Sequence, residues 1–513
     1  MINPRGIRSF FPSLVTGRWL PATFPLLTSV LLILSYPGFN QGWLAWLAMA
    51  PLSWHILNSK TVKAALAGGL GAGFFFYLGI LYWIYPTMRA GGVEPAVSAL
   101  GLVLLAGWLS LEFAAASCFG YCLKMSGGAA FPCVFASGWA LMEWAKVTVN
   151  LKAVWFPWFT LGYTQWRYTE LIQVVSLTGI YGLSWAVCFT GALIGALVYR
   201  RQKPLNTALS LAPAVLIIGG LWLYGRAAIP AVVPGQKSLK AALLQPSIDL
   251  YAKWDRRYAD EIEAKLEGLV KGSGKPDLVI WPENSLPGWI EDKHYGDWVS
   301  RLARETGASQ LVGSISRGDG RRVAVFHIDP AGAQQAEYFK RVLVPFGEYV
   351  PLRGLLGKFI EPVAAMGEFF PGALKQPLME IKGIKTAPVI CYESVFPYLF
   401  RSDARRGAQL FVNITNDGWY LDTAAPAQHL LVNVFRAVET RRPVLRAANN
   451  GISAYIDPYG RIKNRLELNA VGVLSVEPET DPAAPQSFYT ANGDLFIYAC
   501  GMICLAFLLA VLL

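Results

Sequence analysis

The chain has 513 residues, 54% hydrophobic and only 15% charged, with a formal net charge of +11. That balance is too apolar and too charge-poor for an ordinary soluble protein of this size, so membrane spans are expected. The positive charge does not point to nucleic acid: residues 1–226 hold 14 Lys or Arg against 4 Asp or Glu, and the remainder is nearly neutral at 31 against 30. A basic surplus flanking membrane helices is a topology signal, and no nucleic-acid partner is expected.

Apolar runs of about 17 to 25 residues, long enough to cross the hydrocarbon core as helix, occur near 19–36, 39–57, 64–86, 96–122, 129–148, 172–199, 205–225 and 495–513. Tyr36-Pro37-Gly38-Phe39 holds a helix-breaking pair, so the first two runs read as separate spans joined by a tight turn. Eight spans return both termini to one side. With the N-terminus inside, the inner segments hold nine Lys or Arg (Arg5, Arg8, Arg18, Lys60, Lys63, Lys124, Arg200, Arg201 and Lys203). The outer ones hold four: Arg89, Lys146, Lys152 and Arg167. Basic residues stay on the cytoplasmic side, so both termini are expected there and the globular stretch is expected outside. The basic N-terminal end reads as an anchor, because no small-residue cleavage site follows the first run. The predicted organisation is a seven-helix bundle over 1–226, a globular domain over 227–490 and a closing membrane helix over 491–513.

The outer segment opens with a strand pattern at 239–245, then a polar run from about Arg256 to Lys271 with Tyr258, Ile262, Leu266 and Leu269 at helical spacing. Further strands are expected at 277–281, 310–314, 323–327, 387–391 and 409–413, and strands alternating with helices favour a layered α/β or α+β domain. Six of the seven cysteines lie in apolar runs, and only Cys391 lies in this segment. It cannot form an internal disulfide there, so it is either a packing group or a free thiol kept for chemistry. The four histidines show no ligand spacing, and no metal is expected; His429 is the candidate should Cys391 work with a histidine. No Gly-rich phosphate loop followed by Lys-Ser/Thr occurs, which argues against ATP-driven chemistry.

Three reactive side chains stand where apolar strands end, positions that hold a group rigidly while opening it to a cleft. Glu283 follows Val279-Ile280-Trp281-Pro282, Lys340 sits in Tyr338-Phe339-Lys340-Arg341-Val342, and Cys391 sits in Val389-Ile390-Cys391-Tyr392-Glu393. Each alone has an ordinary explanation as a turn, surface or core residue. Together, in this order, they resemble the nitrilase superfamily, whose αββα sandwich carries a Glu-Lys-Cys triad. Apolar spans on both sides of the domain, with Leu343-Val344-Pro345-Phe346-Gly347-Glu348-Tyr349-Val350-Pro351 and Cys391-Tyr392-Glu393, are similar to the apolipoprotein N-acyltransferase family over essentially the whole chain. A His is familiar in that family where Val342 stands here.

The resemblance implies a bacterial inner-membrane enzyme with its catalytic domain in the periplasm, acting as a monomer without cofactor. It implies an acyl donor such as phosphatidylethanolamine and, as acceptor, the α-amino group of an apolipoprotein's N-terminal S-diacylglyceryl cysteine. Cys391 would be the nucleophile, Glu283 the base, and Lys340 with the Tyr392 N–H the oxyanion donors. Glu348 and Glu393 would support the Lys, and Trp254 and Trp419 would contact substrate. The apolar stretch 350–370, with Leu355, Leu356 and Phe359, reads as a lipid-contacting lid. The aromatic cluster Trp155, Phe156, Trp158, Phe159, Tyr163, Trp166 and Tyr168 reads as an interfacial belt or the floor of a lipid entrance. The rival readings are a membrane-anchored nitrilase-type amidase and a transporter or lipid scaffold, the last of which leaves the three strand-end residues unexplained.

Overall fold

The computed structural model describes residues 20–125, 130–149, 155–200, 209–231, 238–250, 252–318, 320–350 and 369–512. Helices occupy the core of every apolar run expected from the sequence: Leu20–Ser35, Ala45–Asn58, Val62–Ile80, Pro95–Met125, Phe131–Val149, Ile180–Arg200, Ala212–Ala228 and Leu495–Leu512. Val62–Ile80, Pro95–Lys124 and Ile180–Arg200 are each long and apolar enough to cross a membrane. The boundaries differ from the hydropathy reading where the backbone must turn. The 64–86 run stops at Ile80 and resumes as a short helix, Ile84–Ala90, and the 172–199 run begins as turns broken at Gly179, whose φ is +64°.

Small residues let the bundle helices approach closely, as expected where lipid supplies no hydrophobic drive for association. A Cβ on Gly195 would stand 2.5 Å from the Ala50 carbonyl oxygen, so only glycine admits the contact between the 180–200 and 45–58 helices. The bundle also buries charge: Lys146 pairs with Glu112 at 3.2 Å and donates to the Phe159 carbonyl at 2.7 Å, and Glu143 accepts from the Leu161 N–H at 2.7 Å. These groups face inward, where intramembrane charges find partners, and they pin the connection after the 131–149 helix to the bundle.

The segment between the last two of these helices folds as two stacked six-stranded sheets. The first runs β12-β1-β2-β3-β4-β5, from β1 (Ala241–Gln245), β2 (Leu278–Ile280), β3 (Ser309–Ser316), β4 (Arg322–Ile328), β5 (Gln334–Phe339) and β12 (Gly472–Val476). The second runs β11-β10-β9-β8-β7-β6, from β6 (Met379–Ile381), β7 (Ile384–Ile390), β8 (Leu410–Thr415), β9 (Val444–Ala448), β10 (Ala454–Ile456) and β11 (Ile462–Arg465). β1-β2-β3 and β7-β8-β9 are parallel, and the outer strands are antiparallel. The period of two sorts side chains between layers: Leu243, Leu278, Ile280 and Leu311 face the second sheet, whereas Leu244, Val279 and Val312 face the helices Ala259–Lys271 and Lys293–Thr306. With Pro397–Arg405 and Ala425–Thr440 covering the second sheet, the order is helix, sheet, sheet, helix.

Ala425–Thr440 is buried on every side, because the sheet lies on one face and the bundle on the other. Its polar side chains join the two. Glu439 accepts from the Ile180 N–H at 2.9 Å and pairs with Arg436 at 3.2 Å, and Arg436 reaches the Tyr163 hydroxyl at 3.2 Å. Gln428 accepts from the Trp83 indole at 3.0 Å. Glu439→Ala would leave Arg436 as an uncompensated buried charge, so the detergent-solubilised protein is expected to lose about 3–5 kcal/mol of stability, read as a lowered midpoint of thermal unfolding.

Candidate active site

The sandwich brings the ends of β2, β5, β7 and β8 together. After β2 the chain turns at Pro282 to present Glu283, and it does so directly over β3. A Cβ on Gly313 would lie 2.1 Å from the Pro282 carbonyl oxygen and 2.9 Å from the Glu283 Cα, so β3 must carry glycine there. Lys340 leaves β5 anchored by its N–H to the Val323 carbonyl at 2.8 Å. Cys391 follows β7 with φ at +51°, a left-handed conformation uncommon for a residue with a side chain, and opens the short 3-10 helix Cys391–Val395.

Lys340, 1% exposed, lies between two carboxylates: its Nζ is 3.3 Å from Glu283 Oε1 and 2.5 Å from Glu348 Oε1. Glu283 Oε2 accepts from the Asn416 N–H at 3.0 Å, and Glu348 Oε2 from the Val344 N–H at 2.9 Å, so each acid is fixed at both oxygens. Burial pushes the Lys340 ammonium down, but Glu283 and Glu348 outweigh it and hold the group well above the ordinary lysine range. Burial raises the Cys391 thiol, and the Glu283 charge raises it further, against the opposing pull of Lys340 and a hydrogen bond with Thr415. The resting group is therefore a neutral thiol among an ionised Lys and its acids.

Glu393 does not reach Lys340 as the sequence suggested. Its carboxylate accepts from the Ile390 N–H at 2.7 Å, the Tyr338 hydroxyl at 2.7 Å and the Val342 N–H at 3.2 Å, and also from the Arg341 N–H. It staples the turn before Cys391 to the chain after Lys340, which fixes the spacing of the two. Val342 contributes a backbone N–H, which any residue at that position supplies. Nor is His429 a base toward the thiol: its Nε2 is 3.1 Å from the Cys391 carbonyl oxygen and its Nδ1 3.0 Å from Asp417. Arg446 pairs with Asp417 at 2.7 Å, and Arg446 with His429 holds the Asp417 carboxyl down at about 2 despite burial.

Tyr392 is buried beneath Cys391 against the rings of Phe156 and Trp158, and Trp158 also packs on His429 and Tyr420. The 155–168 segment thus forms an aromatic floor under the site, with Trp158, Phe159 and Tyr163 buried, instead of an exposed belt. Trp419 is half exposed at the mouth, where its carbonyl accepts from the Thr87 hydroxyl at 2.8 Å. The side chain of Trp254, and Leu355, Leu356 and Phe359, lie outside the described residues. Sequence reasoning missed Asn416, Thr415, Asp417 and Arg446, and also Lys253, a buried lysine that desolvation draws down to about 7 while Glu283 opposes the shift. The signal for the first three was the polar run after the apolar part of β8, by the strand-end rule that singled out Glu283 and Cys391. Among the described residues, no group of three or more His, Cys, Asp or Glu side chains could hold a metal ion.

Residues 240–480 match the family model for carbon-nitrogen hydrolase, which with the two-sheet architecture defines a nitrilase-superfamily domain. Residues 28–193 match the model for the apolipoprotein N-acyltransferase N-terminal domain. An apolipoprotein N-acyltransferase from Geobacter metallireducens is 34% identical over 93% of this chain and 92% of its own length. One from Brucella melitensis is 31% identical over 89% of each. The chain belongs to the apolipoprotein N-acyltransferase family. Among solved structures, a Nesterenkonia amidase of the nitrilase superfamily covers 52% of this chain and 99% of its own at 20% identity, with a TM-score of 0.39.

A neutral Cys391 makes its reactivity depend on pH and on Glu283. Alkylation by iodoacetamide should keep accelerating with pH beyond about 8.5, where an ordinary thiol levels off. Glu283→Gln should change both the rate at neutral pH and the shape of this profile. A plateau below neutral pH would show a resting thiolate instead.

Proposed function

We propose the following course for the lipoprotein N-acylation that family membership assigns to this chain. Glu283 takes the proton of Cys391, and the thiolate attacks the ester carbonyl of a glycerophospholipid such as phosphatidylethanolamine. Lys340 and the Tyr392 N–H stabilise the oxyanion, Glu283 returns the proton to the departing lysophospholipid, and a Cys391 thioester remains. The α-amino group of the apolipoprotein's S-diacylglyceryl cysteine then attacks the thioester with Glu283 accepting its proton; the C–S bond breaks as the amide forms, and Glu283 returns the proton to the departing Cys391 thiolate. The observation that carries this reading is the Glu283 carboxylate held at both oxygens, by Lys340 and by the Asn416 N–H, beside a strand-end thiol it influences electrostatically.

The membrane arrangement belongs to the same reading. Eight spans, seven before the catalytic domain and one after it, are supported by helices at all eight apolar runs. With both termini cytoplasmic, the domain over 227–490 stands on the periplasmic face of a bacterial inner membrane, and the enzyme works as a monomer. Both substrates are lipids, so the site must open toward the bilayer. Glu348 and Phe369 are joined by a backbone hydrogen bond of 3.0 Å, so both ends of the lid stretch are anchored beside the acid that touches Lys340. Phe346 and Phe370, flanking it, are about half exposed.

Cys391→Ser should abolish acyl loading and turnover, because a carboxylate base cannot readily generate an alkoxide. Lys340→Ala should lower kcat by about 10²–10³, the usual cost of one oxyanion donor. Full turnover in the serine variant would remove Cys391 as nucleophile.

Replacing Leu355, Leu356 and Phe359 together with Ser should reduce acyl loading from phospholipid vesicles and raise hydrolysis of the thioester relative to aminolysis, with little effect on a small soluble ester. Equal losses toward lipid and soluble ester would end the lid reading.

A further inference from the structure

A cavity of about 330 Å³ lies at the end of the second sheet opposite Cys391, below the starts of β8 and β9, where the sandwich meets the bundle. Tyr224 from the end of the 212–228 helix lines it, with Arg441, Arg442, Glu479, Asp481 and Phe488. The volume suits a small polar headgroup.

Its charges are incompletely matched. Arg441, at a left-handed φ of +54°, stacks on Tyr459 with 4.8 Å from guanidinium to ring centre and donates to Gln173 Oε1 at 2.5 Å and to the Ser176 hydroxyl at 3.0 Å. Arg442, buried, donates to the carbonyls of Ala408 at 3.1 Å and Ala484 at 2.8 Å. These partners are neutral, and among the described residues neither guanidinium has an ion pair. Burial draws both below the ordinary arginine range, and the opposing pulls of Tyr224 and Asp457 on Arg441 and of Asp481 on Arg442 do not offset it. On the same wall, Glu479 Oε2 is shielded from solvent and has no hydrogen-bond partner among the described residues. The cavity therefore offers guanidinium groups in direct contact only with neutral partners, and a carboxylate oxygen that lacks a donor.

The surroundings are apolar and exposed. Phe488 on the rim, Trp222 and Leu223 on the 212–228 helix, and Leu495 at the start of the last helix are each about half exposed or more. Aromatic side chains at a helix end mark the headgroup level of a bilayer.

We propose that this cavity binds the headgroup of a zwitterionic phospholipid at a site separate from the catalytic centre. The phosphate lies against Arg441 and Arg442, the ammonium against Glu479, and the acyl chains along the exposed faces of the 212–228 and 495–512 helices. The proposal rests on those helices crossing the membrane, and it needs no turnover. Because Cys391 lies at the far end of the sheet, the lipid held here is retained and not consumed, and it ties the domain to the membrane surface.

Native mass spectrometry of the full-length protein in a Cys391→Ser background, exchanged into equimolar dioleoyl phosphatidylethanolamine and dioleoyl phosphatidylglycerol, tests the site with acyl transfer removed. With Glu479 intact, this protein should retain the ethanolamine lipid about tenfold more often, the scale of one charge-assisted contact. Glu479→Ala should bring the ratio near one, and Glu479→Lys should invert it toward the anionic lipid. Millimolar phosphoethanolamine should leave the retained lipid in place, since the acyl chains contribute. Equal retention of both lipids with Glu479 intact, an unchanged ratio in Glu479→Lys, or displacement by phosphoethanolamine would overturn the proposal.

Discussion

The site is organised around one buried ammonium. Taking a Lys out of water costs several kcal/mol unless opposite charge comes with it, and Lys340 brings two carboxylates, Glu283 and Glu348, into contact with its Nζ. Each carboxylate places an oxygen on that Nζ, and burial raises the Glu348 carboxyl while Lys340 opposes the shift. Burial keeps Cys391 protonated and the Glu283 charge adds to the effect, because a thiolate would put a further negative charge in a place of low polarizability. On the proposed course, the proton moves from Cys391 to Glu283, so negative charge shifts from oxygen to sulfur without increasing. The backbone N–H groups of Asn416 and Val344, which hold the second oxygen of each acid, keep that balance geometrically fixed.

The membrane bundle contributes the underside of this arrangement. Lys146 and Glu143, charges that a membrane helix carries only when they are partnered within the bundle, hold the backbone of Phe159 and Leu161. The same connection sends Phe156 and Trp158 beneath Tyr392, the residue after the thiol. Behind it, the His429 Nε2–H donates to the Cys391 carbonyl, with the ring held by Asp417 and Arg446. The left-handed φ of Cys391 is thus held from two sides, by Glu393 on its own turn and by the buried helix that meets the bundle. The Cys391 turn is thus built on the helical bundle instead of merely tethered to it.

Much of this was legible in the sequence because it is written in short periods. Hydropathy placed all eight apolar helices, and the strand-end rule selected Glu283, Lys340 and Cys391, which the fold does bring together. What stayed hidden depends on long-range packing. The 454–456 and 462–465 strands are short and partly polar, and β12 rejoins the first sheet beside β1 from more than two hundred residues away, which no local pattern encodes. Glu393 looked like support for Lys340 because it is acidic and close in sequence to the thiol, yet its hydrogen bonds come from backbone N–H groups and the Tyr338 hydroxyl. The aromatic run at 155–168 reads from sequence as either an interfacial belt or a floor, and the packing of Trp158 on Tyr392 and His429 places it under the site.

The most direct test of the central claim is the mass of the intact protein after brief mixing with phosphatidylethanolamine bearing one defined acyl chain. The account predicts a single added acyl group, located on the Cys391 peptide, released by neutral hydroxylamine as a thioester and discharged by a diacylated cysteinyl peptide. Turnover with no acyl group on Cys391, or an adduct on another residue that discharges at the catalytic rate, would contradict it.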